Sequence, residues 1–210
     1  DSACGENIHC NLYIDELEPY LLACGFAVRR NPKDRTGDRL KEAIAESNAW
    51  GADLHYVAHT NAGGGAYSLL MVYDQGTAYG YAEKLAARRR EIYAGSVKIS
   101  VQPQWDELRL TAAPAVYDEM VFHDNAKDIA WFHEHLREMA EATAKAICDM
   151  FGAAFVDPYA KPAEPAPEPE SGGDVWYRVQ VGAFREKANA DRLCAELQGK
   201  GYAAFVKAGA

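Results

Sequence analysis

Three short stretches hold the residue types and spacings that could do chemistry. His59 closes an apolar run and is followed at once by Thr60, Asn61, Ala62 and three glycines, Gly63, Gly64 and Gly65. An imidazole at a strand end can meet a metal, and a glycine-rich turn lets backbone approach a ligand. The same pattern also fits a loop histidine satisfied by hydrogen bonds. Glu6 and His9 stand three apart, a spacing at which a carboxylate and an imidazole can share one side of a helical turn. Glu is equally at home at a helix N-terminus for electrostatic reasons. Glu119 sits inside Ala115, Val116, Tyr117, Asp118, Glu119, Met120, Val121, Phe122. An acid in so apolar a run is costly to bury unless it is paired or functional. Asp118 and Glu119 must point to opposite faces, so one can be solvated while the other meets a site. His123 and Asp124 stand where the next helix would begin, and read as its cap.

The elements that would position these residues alternate between helix and strand. Residues 9–24 place Leu12, Leu17, Leu21 and Cys24 roughly on one side and stop at Gly25, which predicts an amphipathic helix. Residues 26–30 read as a strand. Residues 39–50 read as a second helix, stopped by Gly51. The spacing then predicts strands over 53–59 and 67–73, a long helix over 80–93, a strand over 115–122 and a closing helix over 129–151. His55 lies on the same strand face as His59 and reads as structural support. Helices alternating with short strands predict an α/β fold, a mostly parallel sheet flanked by helices. Ligands of such folds bind beyond the carboxyl ends of the strands.

Composition narrows the function classes. A formal net charge of -9 argues against a nucleic-acid partner, because phosphate binding needs clustered Lys and Arg. The one dense basic run, Arg88, Arg89 and Arg90, falls inside a helical pattern and reads as a solvated face. Five cysteines, Cys4, Cys10, Cys24, Cys148 and Cys194, are odd in number and lack CxxC spacing, which argues against a disulfide framework or a four-thiolate zinc site. No apolar run reaches the length of a membrane span. Residues 159–174, YAKPAEPAPEPESGGD, have the composition of an extended, fairly stiff spacer that does not pack in a core. Beyond it, residues 175–181 alternate as a strand, 187–199 form a helix with Ala190, Leu193, Cys194 and Leu197 inward, and 202–206 begin another strand.

Taken together, residues 1–152 resemble the zinc-dependent N-acetylmuramoyl-L-alanine amidases of the Amidase_3 type. Three ordered motifs carry the resemblance. Glu6 precedes Asn11 and Leu12 and the turn Leu21, Leu22, Ala23, Cys24, Gly25, Phe26; Ala52, Asp53 and Leu54 lead to His59, Thr60, Asn61 and Ala62; and Pro114, Ala115 and Val116 lead to Glu119 after Leu108, Arg109 and Leu110. The resemblance implies Zn2+ held by Glu6, His59 and a further histidine, with Glu119 as catalytic acid/base and Asn61 and Arg109 as substrate-binding residues. The family's first zinc ligand closes a strand that would precede Asp1; alternatively His9 supplies it. The tail, 175–210, resembles part of a SPOR domain, a small α+β module that binds peptidoglycan glycan strands. Tyr177, Arg178, Val179, Gln180, Val181, Gly182 and Phe184, then Ala188, Asn189 and Ala190, carry that likeness and make Gln180 and Phe184 the implied glycan contacts. The implied organisation is a catalytic domain over 1–152, a linker over 153–174 and a partial SPOR module over 175–210. The implied protein is a monomer that cleaves peptidoglycan in the bacterial cell wall or outside the cell, as a host autolysin or a phage lysin. Two other readings fit the same residues: a metal-free scaffold that only binds the wall, and a zinc peptidase acting on stem peptides.

Overall fold

The computed structural model describes residues 5–33, 39–160 and 179–207, and the chain divides into two compact units, Asp1–Lys161 and Pro162–Ala210. In the first unit, helix α1 (Glu6–Ala23) buries His9, Tyr13, Leu17 and Tyr20. These recur at four, four and three residues, the spacing of one helical stripe. Leu12, expected inside, is 40% exposed instead. The helix ends where expected: Gly25 takes φ 87°, and the N–H groups of Gly25 and Phe26 close onto the carbonyls of Leu22 and Leu21. That left-handed turn satisfies carbonyls the helix would otherwise leave open. Helix α2 (Leu40–Trp50) stops in the same way at Gly51, φ 72°.

The sheet holds four strands: β1 (His55–Asn61), β2 (Tyr67–Val72), β3 (Ser96–Val101) and β4 (Ala115–Phe122), in the order β1-β4-β2-β3. The β1/β4 and β2/β3 ladders are parallel, and β2/β4 is antiparallel. Helix α3 (Thr77–Ile92) joins β2 to β3. β3 and the short helix α4 (Asp106–Leu110) add to the elements that periodicity predicts. The closing helix is two helices, α5 (Ala126–Glu134) and α6 (Leu136–Phe151), broken at His135. Both the backbone N–H and ring Nδ1 of His135 turn to the Trp131 carbonyl, at 2.9 Å each. Among the described residues no helix is long and apolar enough to cross a membrane.

Residues 26–30 form no strand, contrary to expectation. A strand needs a neighbour for its ladder. β1 is the edge of the sheet, and a cleft of about 970 Å³ lies beside it, lined by residues 26–33, by His55 to His59 and by residues of α1 and α2.

The larger correction concerns charge. Arg89 is not on a solvated face: its side chain is 2% exposed and Asp118, its partner, is 0% exposed. Arg89 Nη1 and Nη2 donate to Asp118 Oδ1 and Oδ2 at 3.0 and 2.6 Å, and Nη1 also donates to Ser68 Oγ at 2.8 Å. Tyr56 Oη donates to Asp118 Oδ2 at 2.6 Å. Tyr56 Oη meets Tyr13 Oη, which donates to Thr143 Oγ1 at 2.6 Å. One polar chain thus links α1, β1, β4, β2, α3 and α6 inside an apolar core. Burial works against the Arg89 charge, but Asp118 outweighs it and raises the guanidinium pKa further.

In the second unit, α7 (Lys187–Gly199) half-buries Ala190, Leu193, Cys194 and Leu197, the expected inward stripe. Residues 179–181 and 202–206 join no ladder among the described residues, and the Ala204 N–H turns back to the Tyr202 carbonyl at 3.0 Å. The expected strand over 202–206 is therefore absent, and the part of 175–181 before 179 lies outside the described residues, as does most of the 159–174 spacer.

Breaking the buried pair from one side should be severe. Arg89→Met should lose about 3–5 kcal/mol of stability in urea denaturation, since it strands the Asp118 charge. Arg89→Met with Asp118→Asn should lose clearly less than the sum of the two single changes.

Candidate functional site

Glu6 opens α1 in a turn that has no side-chain cap. Its carboxylate reaches the end of β1 instead: Oε1 accepts from His59 Nδ1 at 2.6 Å and from the Thr60 N–H at 3.1 Å. Two residues separated by most of the unit's first half are thereby joined. Burial pushes the Glu6 carboxyl up, but the His59 hydrogen bond and charge, the Thr60 N–H and His123 together hold it below the usual value. Burial pulls His59 down, yet the bond and charge of Glu6, with Glu119 and Glu107, leave the imidazole above its ordinary value. The ionised carboxylate accepts, so Nδ1 carries the proton.

Glu119 is the cross-strand partner of His59 on the β1/β4 ladder. Because side chains alternate along a strand, committing Asp118 to the core sends Tyr117 and Glu119 to the other face. There the His59 ring stacks on Tyr117 with centroids 4.4 Å apart, and Trp105 meets Tyr117 edge-on at 5.0 Å. Glu119 Oε2 is buried and has no hydrogen-bond partner among the described residues. Burial is the main reason its pKa rises to about 7; His59 lowers it, and Glu6 and Asp118 add to the rise. An unpaired, poorly solvated carboxyl near neutrality is suited to taking and returning a proton.

The structure therefore brings Glu6, His59 and Glu119 together. His9 does not join them. It is 1% exposed, and its ring lies against Phe132 and His133 of α5 at 6.2 and 5.0 Å. Residues three apart on a helix differ by a net angle of about 60°, and that offset puts His9 against α5 while Glu6 reaches the cleft. Among the described residues no three His, Cys, Asp or Glu side chains converge as a metal-binding group. Arg109 turns to Asp106 Oδ1 at 2.6 Å on the exposed side of α4. Asn61 accepts from the Ala62 N–H through its own side chain, and its carbonyl accepts from the His123 N–H. Gln180 and Phe184 are exposed on the second unit. His55 is structural, as expected: its ring bridges Ser47 and Glu107 at 2.9 and 3.2 Å.

Asp118 is not the solvated partner expected of the Asp-Glu pair. His123 and Asp124 do not cap α5 either; Asn125 does, accepting from the N–H groups of Lys127 and Asp128. His123 and Asp124 bind the loop after β1 instead, through Thr60 and through Gly63 and Gly64. Their signal in the sequence was ambiguous, since Asp124 and Asn125 in succession both favour a helix start.

The fold matches known catalytic domains. The solved catalytic domain of CwlV, an N-acetylmuramoyl-L-alanine amidase from Bacillus (Paenibacillus) polymyxa var. colistinus, superposes with a TM-score of 0.62 at 16% identity, covering 72% of this chain and 88% of that one. AmiC2, an N-acetylmuramoyl-L-alanine amidase of Nostoc punctiforme, gives 0.63 at 16% identity over 70% and 84%. Those likenesses establish an amidase-like fold, here with a mixed sheet. In sequence, the N-acetylmuramoyl-L-alanine amidase CwlM of Bacillus licheniformis is 30% identical over 182 residues, 82% of this chain and 64% of the relative. A sporulation-specific N-acetylmuramoyl-L-alanine amidase of Bacillus subtilis (strain 168) is 28% identical over 181 residues, again 82% and 64%. The chain thus spans 64% of the length of these relatives. Residues 141–208 match the SPOR domain family. That match begins inside α6, whose buried residues Ala144 and Ala146 belong to the first unit's core.

The Glu6–His59 bond can be tested in the metal-free protein. Titration by NMR should place the His59 pKa above that of an exposed histidine, and Glu6→Gln should lower it. An unchanged His59 titration in that variant would show that the bond is not made.

Proposed function

We propose that the first unit hydrolyses the amide between the lactyl group of N-acetylmuramic acid and L-alanine in peptidoglycan, with zinc as its cofactor. The observation that carries this reading is the orphaned carboxyl oxygen of Glu119, facing a His59–Glu6 pair across one ladder. An imidazole nitrogen and a carboxylate oxygen are the donor types of catalytic zinc sites, which also leave a position open. Glu6 and His59 fit two of the ligands. A third imidazole would have to reach the cleft beside β1, whose outer edge pairs with no strand among the described residues. His9 is turned to α5 and is the weaker candidate.

Bound zinc would supply Lewis-acid polarisation of the scissile carbonyl and a more acidic water. Glu119 would take the proton of the attacking water at its unpartnered Oε2 and return it to the leaving nitrogen of L-alanine. Tyr117 and Trp105 would wall the site, the Tyr117 phenol staying protonated because burial first, then Glu119, raises its pKa. The second unit, through the SPOR match, would hold the chain on glycan strands by tethering, with Gln180 and Phe184 as contacts and Asn61 and Arg109 nearer the stem peptide. Such a protein would act as a monomer in the bacterial cell wall or outside the cell.

Glu119→Gln should retain zinc and lose about 10²–10⁴-fold in the release of stem peptides from purified sacculi. Release at the parental rate would overturn the role of Glu119. Metal analysis of the full-length protein should find one zinc per molecule, reduced in His59→Ala and Glu6→Gln. A chain that binds sacculi but no zinc would favour the binding-only reading. Products lacking a free L-alanine N-terminus would favour a peptidase.

A further inference from the structure

The residues that follow β4 hold the loop that follows β1, and they do so one after another. The Phe122 ring packs over Gly65, where an added Cβ would come within 2.5 Å of it. His123 donates its N–H to the Asn61 carbonyl at 3.0 Å, and its Nδ1 lies 3.0 Å from Thr60 Oγ1. Asp124 Oδ2 accepts from the N–H groups of Gly63 and Gly64 at 2.7 and 3.0 Å, and Oδ1 from Gly64 at 3.1 Å. Asn125 Nδ2 donates to the Gly65 carbonyl at 2.9 Å. Gly63 and Gly64 lie at φ 113° and 70°. Glycine reaches such angles without strain but loses the most freedom in being fixed there. A glycine run in an exposed loop keeps one conformation only if something holds its amides. Here one carboxylate does so, reaching both amides at once.

We propose that Asp124 is a positioning residue that fixes residues 60–65, and with them the strand end carrying His59, against the strand carrying Glu119. The chain of contact is short. Asp124 lies five residues beyond Glu119, and Gly63 four beyond His59. Thr60 is held from two sides at once, its N–H by Glu6 and its hydroxyl by His123. A register shift in the β1/β4 ladder between His59 and Asn61 interrupts regular pairing just there. The ladder alone therefore does not set where the loop goes, and the Asp124 clamp takes over. The assignment of a kinetic role rests on the proposed amide hydrolysis; the clamp itself does not.

The test compares Asp124→Ala and Asp124→Asn with the parent. In Asp124→Ala the amides of Gly63 and Gly64 should exchange with solvent at least about tenfold faster, while amides of β4 keep their protection. With zinc supplied to the full-length protein, stem-peptide release should show kcat reduced about tenfold. KM should stay within about twofold, because the clamp orients reacting groups and does not bind substrate. Asp124→Asn keeps one carbonyl acceptor and should recover most of both losses. A residue that only contributed stability would lower the melting temperature without this kcat-against-KM split and without rescue by Asn. Parental exchange at Gly63 and Gly64 in Asp124→Ala overturns the clamp. Faster exchange with parental kcat overturns the positioning role and leaves the hydrolase reading intact. If the parent itself releases no stem peptide, the hydrolase reading and the kinetic role fall together, and the exchange result still decides the clamp.

Discussion

Two opposite charges removed from water persist only if each satisfies the other, and Arg89 and Asp118 do so through two short hydrogen bonds. Ser68, Tyr56, Tyr13 and Thr143 extend that pairing until it touches both central strands, the edge strand and the helices on their face. Such a pair is weak as a source of net stability. Its strength is in what it forbids. A slip of β4 by one residue would carry Asp118 out of reach of Arg89 and leave two buried charges unmatched, so the register of the central strand is fixed.

The site inherits its geometry from that constraint. With Asp118 committed to the core, alternation places Glu119 on the opposite face, opposite His59 on the neighbouring strand. Low solvation there raises the Glu119 carboxyl to about 7, whereas Glu6, bonded to His59 and the Thr60 N–H, is held below its usual value. Two carboxylates brought to one imidazole are thus driven in opposite directions by their surroundings. The segment after β4 then closes onto the loop after β1, so the two strand ends that carry the site are tied beyond the sheet as well as within it.

The free edge of β1 gives the cleft its character. Residues 26–33 line the same cleft as β1 without pairing with it, and residues of α1 and α2 complete the lining. An edge that pairs with no strand among the described residues stays open to a ladder partner, and residues 26–30, which lack such a partner, stay outside the sheet. The second unit is a separate matter: its helix half-buries one apolar stripe while Val179, Phe205 and Tyr202 remain exposed.

Local physics was legible in the sequence wherever it acts over a turn or a pleat. Gly25 and Gly51 ended helices because left-handed residues close helix ends, and β4 was read to its limits because its apolar run has no other explanation. Glu6, His59 and Glu119 were legible as separated motifs, each at an element terminus or inside an apolar strand. What the sequence did not contain was which charges would meet. Arg89 looked like its solvated neighbour Arg88, and only the packing of α3 on β4 made it a core residue. His9 matched Glu6 in spacing, but helix rotation sent it to α5, and residues 26–30 had a strand's composition without a strand's neighbour. His123 and Asp124 had the chemistry of a helix cap and were drawn to a loop some 60 residues away. Propensity and periodicity are properties of a few consecutive residues; pairing, burial of charge and loop capture depend on partners that only the folded chain brings within hydrogen-bonding distance.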